Sequence, residues 1–147
     1  CIGLRYFNVF GPRQDPEGAY APVIPRWIDA VRKGESPVLY GDGTATRDFC
    51  PVYNVVLANL LAALTDAPDA TGGVFNVACG KSVTLNELLS LIAANFAPDR
   101  TVQPVHEPAR EGDISSASIE RAARILGYRP LQFLEDGLRA LAAQTSD

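Results

Sequence analysis

The sequence contains no methionine, and it opens on Cys1. A native start is missing from it, and the chain reads as a fragment of a longer protein. Lysine is scarce: of 13 basic residues only Lys33 and Lys81 are lysine. A phosphate site here must be built from arginine, whose planar fork matches phosphate oxygens as an ammonium does not. The same bias also fits a genome-wide composition preference. Histidine occurs once, at His106, with no serine or cysteine beside it in a nucleophile-like context. The three cysteines, Cys1, Cys50 and Cys79, are odd in number and lack metal-ligand spacing, which suits a reduced, cytoplasmic protein. No apolar run approaches the roughly 18 residues that a membrane helix needs, and no signal peptide is visible. A net charge of -4 with 20% charged residues argues against nucleic acid as a main partner. It leaves room for a small anion held by a local arginine pair.

Two motifs are also missing. No G-x-G-x-x-G turn is present to cradle the phosphates of a dinucleotide. No Tyr-x-x-x-Lys pair exists either, because Asp29 and Val77 stand four residues before the two lysines. Taken alone, the chain is not equipped for hydride or acyl transfer.

What is there is a chain of 147 residues, 47% hydrophobic, enough for one domain or a large part of one. Residues 2–8 read as a buried strand stopped by Gly11-Pro12, and residues 11–20 as a loop. Val23, Ile24, Trp27, Ile28 and Val31 recur at helical spacing and predict a helix over 22–34, with Gly34 as its C-terminal cap. Val38-Leu39-Tyr40 is a short strand ending in the Gly41-Asp42-Gly43 turn, and Thr46 to Val52 a second strand-like piece. Residues 53–66 predict a strongly apolar helix, buried on most sides. Val74–Val77 is a strand. Thr84-Leu85-Asn86-Glu87 has the form of a capping box and opens a helix to about Phe96. Thr101 to Glu107 reads as a further strand. Two short helices follow at 118–126 and 131–143, the second with an apolar stripe at Leu131, Leu134, Leu138 and Leu141. The class is α/β, with strands and helices alternating irregularly.

Binding chemistry concentrates in loops. Arg47-Asp48 follows the Gly41–Thr44 turn, and Arg110-Glu111-Gly112-Asp113 comes later. Two loop arginines followed by acids can grip a diphosphate and leave an acid for sugar hydroxyls. They can equally be surface ion pairs, each worth at most about 1 kcal/mol. Tyr40, at a strand end, can stack on a flat ring or pack into the core. Asn8 can donate to a phosphate oxygen or simply form a turn.

Taken in order, these pieces resemble the nucleotide-sugar epimerase/dehydratase family, the extended short-chain dehydrogenases. The residues that carry the resemblance are Leu4-Arg5-Tyr6-Phe7-Asn8-Val9-Phe10-Gly11-Pro12, Gly41-Asp42-Gly43 with Arg47-Asp48-Phe49, Phe75-Asn76-Val77-Ala78, Arg110-Glu111-Gly112-Asp113 and Leu126-Gly127-Tyr128-Arg129-Pro130. Gly11-Pro12-Arg13-Gln14-Asp15-Pro16, Gly18-Ala19-Tyr20-Ala21 and Arg47-Asp48-Phe49-Cys50 look most like the UDP-N-acetylglucosamine 4-epimerases, with UDP-glucose 4-epimerases as close relatives. The resemblance covers the C-terminal half of such an enzyme. It implies the last strands of a Rossmann-type fold and a small mixed α/β substrate-binding domain over 1–147. The glycine-rich NAD loop and the catalytic Tyr and Lys would then lie before Cys1. The family reaction moves hydride from sugar C4 to NAD, rotates the 4-keto sugar and returns the hydride to its other face. Family members usually form homodimers through helices that would lie mainly upstream.

The resemblance also implies roles. Tyr6 and Phe7 match positions near the nicotinamide. Asn8, Arg47 and Arg110 match diphosphate contacts. Tyr40 matches the aromatic beside the uracil, with Val38 offering backbone, and Asp113 the acid that holds the ribose. Gln14 and Pro22 fall where the family lines its sugar pocket. Ser115 matches the residue whose size separates N-acetylated from plain sugars, and a serine leaves room for an acetamido group. The chain departs from the family pattern at Pro22, which replaces a small residue, and after Ile114, where two residues are missing. Ser118 replaces the usual acid nearby. At Tyr53 an aspartate is usual, so Asn54 is the candidate cap for that helix. Two other readings fit the motifs: a nucleotide-sugar 4,6-dehydratase or decarboxylase, or a non-catalytic sugar-nucleotide binding module. On its own, the chain is expected to fold weakly, because its first strand would be left as an open edge.

Overall fold

The computed structural model describes residues 1–18, 20–109 and 114–144, with only the backbone of Ile114 and Ser115. Strand β1 spans Gly3–Tyr6 and pairs in parallel with β6, Val74–Val77. The expected strand over 2–8 is therefore broken. Asn8 takes a left-handed φ of 38°, a conformation that asparagine tolerates better than most residues. The chain resumes as β2, Val9–Phe10, paired in parallel with β5, Cys50–Pro51.

Helix α1, Val23–Lys33, buries Ile24, Trp27, Ile28 and Val31 on one face, as the spacing predicts. It ends at Gly34, whose φ of 81° lets the Glu35 N–H return to the Ala30 carbonyl at 2.9 Å. Strand β3, Val38–Tyr40, pairs in parallel with β8, Val105–Glu107. The remaining sheet is centred on β4, Thr46–Asp48, flanked by antiparallel β7, Ser82–Thr84, and parallel β9, Ile114–Ser115. Thus Thr46–Val52 is not one strand: β4 and β5 are separate, and α2 begins at Val52.

Helix α2 runs Val52–Leu64, and α3 runs Leu85–Phe96. The capping box is present: the Thr84 hydroxyl accepts from the Glu87 N–H at 3.1 Å, and the Glu87 carboxylate accepts from the Thr84 N–H at 2.8 Å. These bonds hold the Glu87 carboxyl below its usual range. Helix α4, Glu120–Leu126, stops at left-handed Gly127, and α5 spans Leu134–Gln144. Leu131 precedes α5 and is exposed, so the stripe on that helix is Leu134, Leu138 and half-buried Leu141.

Two apolar clusters result. The first joins α1, α3 and α5 around Phe10, Trp27, Leu39, Phe49, Leu88 and Leu138. The second joins β1, β6, α2 and α4 around Phe75, Val77, Ala58, Leu126 and Tyr128. Helix α2 is not buried on most sides: Tyr53, Val56, Leu60 and Leu64 form an exposed apolar stripe. Nor does Asn54 cap it. Asn54 is fully buried, donates to the Gln132 carbonyl at 2.7 Å and accepts from the Leu131 and Gln132 N–H groups. It clamps α2 to the segment that leads into α5. No described helix is long and apolar enough to cross a membrane.

Candidate functional site

A cleft of about 250 Å³ opens between α1, β3 and β4. Asn8, Arg26, Trp27, Val38, Tyr40 and Arg47 are among the residues that line it. Its floor is the first apolar cluster, through Trp27 and Phe49. The Trp27 indole donates to the Val38 carbonyl at 2.9 Å, which locks α1 to β3. Beyond Tyr40 the chain turns at Gly41 and Gly43, both at left-handed φ. A Cβ at Gly43 would collide with Asn86, whose side-chain amide donates to the Asp42 carbonyl at 3.0 Å. That staple anchors the loop between Tyr40 and Arg47.

On the β4 wall, Arg47 donates to its neighbour's carbonyl, Thr46 O, at 2.8 Å. Asn8 reaches the same wall, donating to the Asp48 carbonyl at 2.8 Å, while its own carbonyl accepts from the Cys50 N–H at 3.2 Å. Asn8 is thereby held from both its backbone and its side chain, and the second N–H of its amide has no partner among the described residues. Among the lining residues two are arginines and none is acidic. Two guanidiniums with no acid among the described lining residues, in a protein of net charge -4, make a local positive field suited to a small anion.

Behind Arg47 lies Asp48, fully buried. Its two oxygens accept from the Cys79 N–H at 2.9 Å and the Gly80 N–H at 2.7 Å. Burial raises its pKa, and the backbone donors oppose that rise. The carboxylate ties the end of β4 to the turn after β6, and so fixes the strand from which Arg47 projects. Nearby, the buried Tyr128 hydroxyl donates to the Ala78 carbonyl at 2.9 Å, and burial pushes its pKa up.

Residues 1–78 match the NAD dependent epimerase/dehydratase family. The chain belongs to that family. Among solved structures it resembles the UDP-glucose 4-epimerase of Thermotoga maritima with UDP-glucose, at 37% identity and a TM-score of 0.83, over 95% of this chain and 44% of that one. It also resembles the UDP-N-acetylglucosamine 4-epimerase of Methanobrevibacter ruminantium M1 in complex with UDP-N-acetylmuramic acid, at 38% identity and a TM-score of 0.82, over 98% of this chain and 46% of that one. A curated relative, the UDP-glucose 4-epimerase of Mycolicibacterium smegmatis, is 36% identical over 141 residues, 94% of this chain and 43% of that protein. This epimerase/dehydratase chain thus spans less than half the length of the relatives it matches.

Four of the residues singled out in sequence, Asn8, Val38, Tyr40 and Arg47, converge on the one cleft. Pro22 lines a smaller cavity of about 130 Å³ that shares Asn8, Val23 and Phe49 with it. The backbone of Ser115 lies beside Arg47 in the β4–β9 pair. Gln14 stands apart. Its amide is spent on its own loop, donating to the Val9 carbonyl at 2.9 Å and accepting from the Gly11 N–H at 3.3 Å. It lines a different, larger groove of about 390 Å³. Tyr6 and Phe7 also lie outside the cleft: Tyr6 is exposed and bonded through its hydroxyl to Asn59, and the Phe7 N–H donates to the Val77 carbonyl. Arg110 and Asp113 fall outside the described residues.

Arg26, Trp27, Phe49 and Leu85 also line the cleft and were not singled out in sequence. Trp27 and Phe49 belong to the first apolar cluster, and half-buried Leu85 packs against it, each with an edge in the cleft. The signal for Arg26 was its place in the first turn of a helix without an acidic residue. That is the end of a helix where a cation is least expected.

Proposed function

We propose that this chain is the UDP-sugar-binding portion of an NAD-dependent nucleotide-sugar 4-epimerase. In the intact protein it interconverts UDP-N-acetylglucosamine and UDP-N-acetylgalactosamine, or the corresponding UDP-hexoses. One observation carries this reading: Asn8, Val38, Tyr40 and Arg47, from three segments far apart in sequence, line one cleft. In this reading the uracil lies against Tyr40 and the backbone of Val38. The diphosphate takes the Arg47 fork and the Asn8 amide, where a charge-assisted pair is roughly twice as strong as a neutral hydrogen bond. Arg110 and Asp113 complete the grip on diphosphate and ribose. The sugar extends past Asn8 toward Pro22 and Ser115. The position of Gln14 in another groove argues against its place in the sugar pocket in this conformation.

The nicotinamide side is reached by Tyr6 and Phe7 at the end of β1. Tyr6 is 49% exposed with its hydroxyl anchored by Asn59, so its ring is held with a surface free to meet a flat group. When bound, NAD supplies the hydride acceptor and donor. Its phosphates find no glycine-rich turn in this sequence and need the rest of the enzyme. The exposed stripe on α2 is a surface on which such a half would pack.

Proton NMR of the full-length protein with UDP-N-acetylglucosamine, and separately with UDP-glucose, tests the reading. The expected result is growth of the C4 epimer's anomeric signal in at least one mixture. Loss of water from either sugar, with no epimer, would replace it with a dehydratase, and loss of carbon dioxide from a UDP-uronate, offered as a third substrate, with a decarboxylase.

A further inference from the structure

We propose that Arg26 is a further guanidinium contact for the nucleotide's diphosphate, beside Arg47 and Arg110, and that it strengthens the cleft's preference for a diphosphate over a monophosphate. The inference rests on the UDP-sugar reading above and adds a residue to it.

Arg26 lines the cleft from the α1 wall, and Arg47 lines it from the β4 wall. The other basic residues of α1 are engaged: Lys33 pairs with Asp29 at 2.8 Å, and the Arg32 guanidinium lies 5.0 Å over the Phe96 ring. The Arg26 guanidinium makes no hydrogen bond or ion pair with any described residue. Nor does its position serve the helix. It sits in the first turn, where the exposed N–H groups disfavour a cation, and that turn has neither an acid nor a side-chain cap to offset it. A residue placed against local preference, lining a cleft with no acid among its described residues, fits a ligand that brings the counter-charge.

The chemistry selects which ligand. A monophosphate presents its oxygens on one phosphorus atom and is satisfied by one fork. A diphosphate presents oxygens on two, so forks on facing walls can each take one phosphoryl group. On this account Arg47 and Asn8 hold one group, and Arg26 reaches the other from α1, alongside the contact proposed for Arg110.

The test is calorimetric titration of the full-length protein with UDP and with UMP. Arg26→Ala is expected to weaken UDP binding about tenfold and UMP binding less than about twofold. Arg26→Lys should recover part of the loss, and the alanine variant should show a shallower dependence of UDP affinity on salt. Arg26 is exposed, so an unchanged melting temperature will separate a lost contact from a damaged fold. A wild-type protein that binds no UDP overturns the UDP-sugar reading and this inference together. A wild-type protein that binds UDP, with an Arg26→Ala variant that binds it equally well or loses UDP and UMP alike, overturns the role of Arg26 and leaves the UDP-sugar reading standing.

Discussion

The two apolar clusters reach the surface differently. Over the first, α3 turns Asn86, Glu87 and Ser90 to solvent and keeps Leu88, Leu89 and Ile92 inside. Over the second, α2 turns Tyr53, Val56, Leu60 and Leu64 to solvent. One region is finished and the other presents an apolar flank. The cleft with Asn8, Tyr40 and Arg47 rests on the finished region, whereas Tyr6 sits on the open one. The proposed function needs such a division, with the nucleotide-sugar cleft on the finished region and the cofactor side on the open one. Contiguous exposed apolar surface of this kind marks a contact face.

The strongest way to break the comparison is to hollow out the finished side. Leu138 is fully buried on α5, next to Gly137, where an added Cβ would run into the Phe10 ring. Leu138→Ala should cost roughly 2–5 kcal/mol, read from the urea midpoint of the full-length protein. A loss under about 1 kcal/mol would mean that this cluster is looser than its burial implies.

Asn54 comes next, because it joins the two regions. Asn54→Ala leaves the Gln132 carbonyl and two backbone N–H groups without their partner, and should cost about 1–3 kcal/mol. Its expected sign is a loss of cooperativity as well as of stability, visible as separate unfolding transitions by fluorescence and circular dichroism.

The flank itself is sharpened by making one substitution in two contexts. In residues 1–147 alone, Leu60→Ser should change stability by less than about 0.5 kcal/mol and raise the concentration at which the chain aggregates. In the full-length protein the same change should cost about 1–3 kcal/mol if the stripe is covered there. Equal, negligible effects in both would contradict the division.

The smallest effect is electrostatic. Glu87, held low by its capping bonds, contributes stability that is present above the ordinary glutamate value of 4.5 and lost as pH falls through its folded pKa. Asp48, raised by burial, has the opposite sign: stability falls as pH rises through the window above its ordinary 3.8. Carboxyl NMR titration should place Asp48 above its ordinary 3.8 and Glu87 below its ordinary 4.5, and an Asp48 value below 3.8 would contradict the burial assigned to it.

Where local signals decide structure, the sequence was legible. The α1 stripe with Gly34, the Thr84–Glu87 box and Val38–Tyr40 each depend on neighbours within a few residues. What was hidden depends on distant partners. Strands β7 and β9 are two or three residues long and exist because β4 lies between them. Helix α2 is apolar nearly all round, so no periodicity could say which face meets the core. Asn54 looked like a cap because caps are local, yet its bonds reach across to Leu131 and Gln132. The site follows the same rule. Asn8, Val38, Tyr40 and Arg47 were readable as a set through the family resemblance, and the fold brings them together. Gln14 lies apart from that set, its amide bonded within its own loop.

The most direct test is a crystal structure of the full-length protein with UDP. The account predicts the diphosphate within hydrogen-bond reach of Arg47 and Asn8, with the uracil against Tyr40. A nucleotide seated instead in the larger groove beside Gly11, Pro12 and Gln14, with the Arg47 cleft empty, would contradict it.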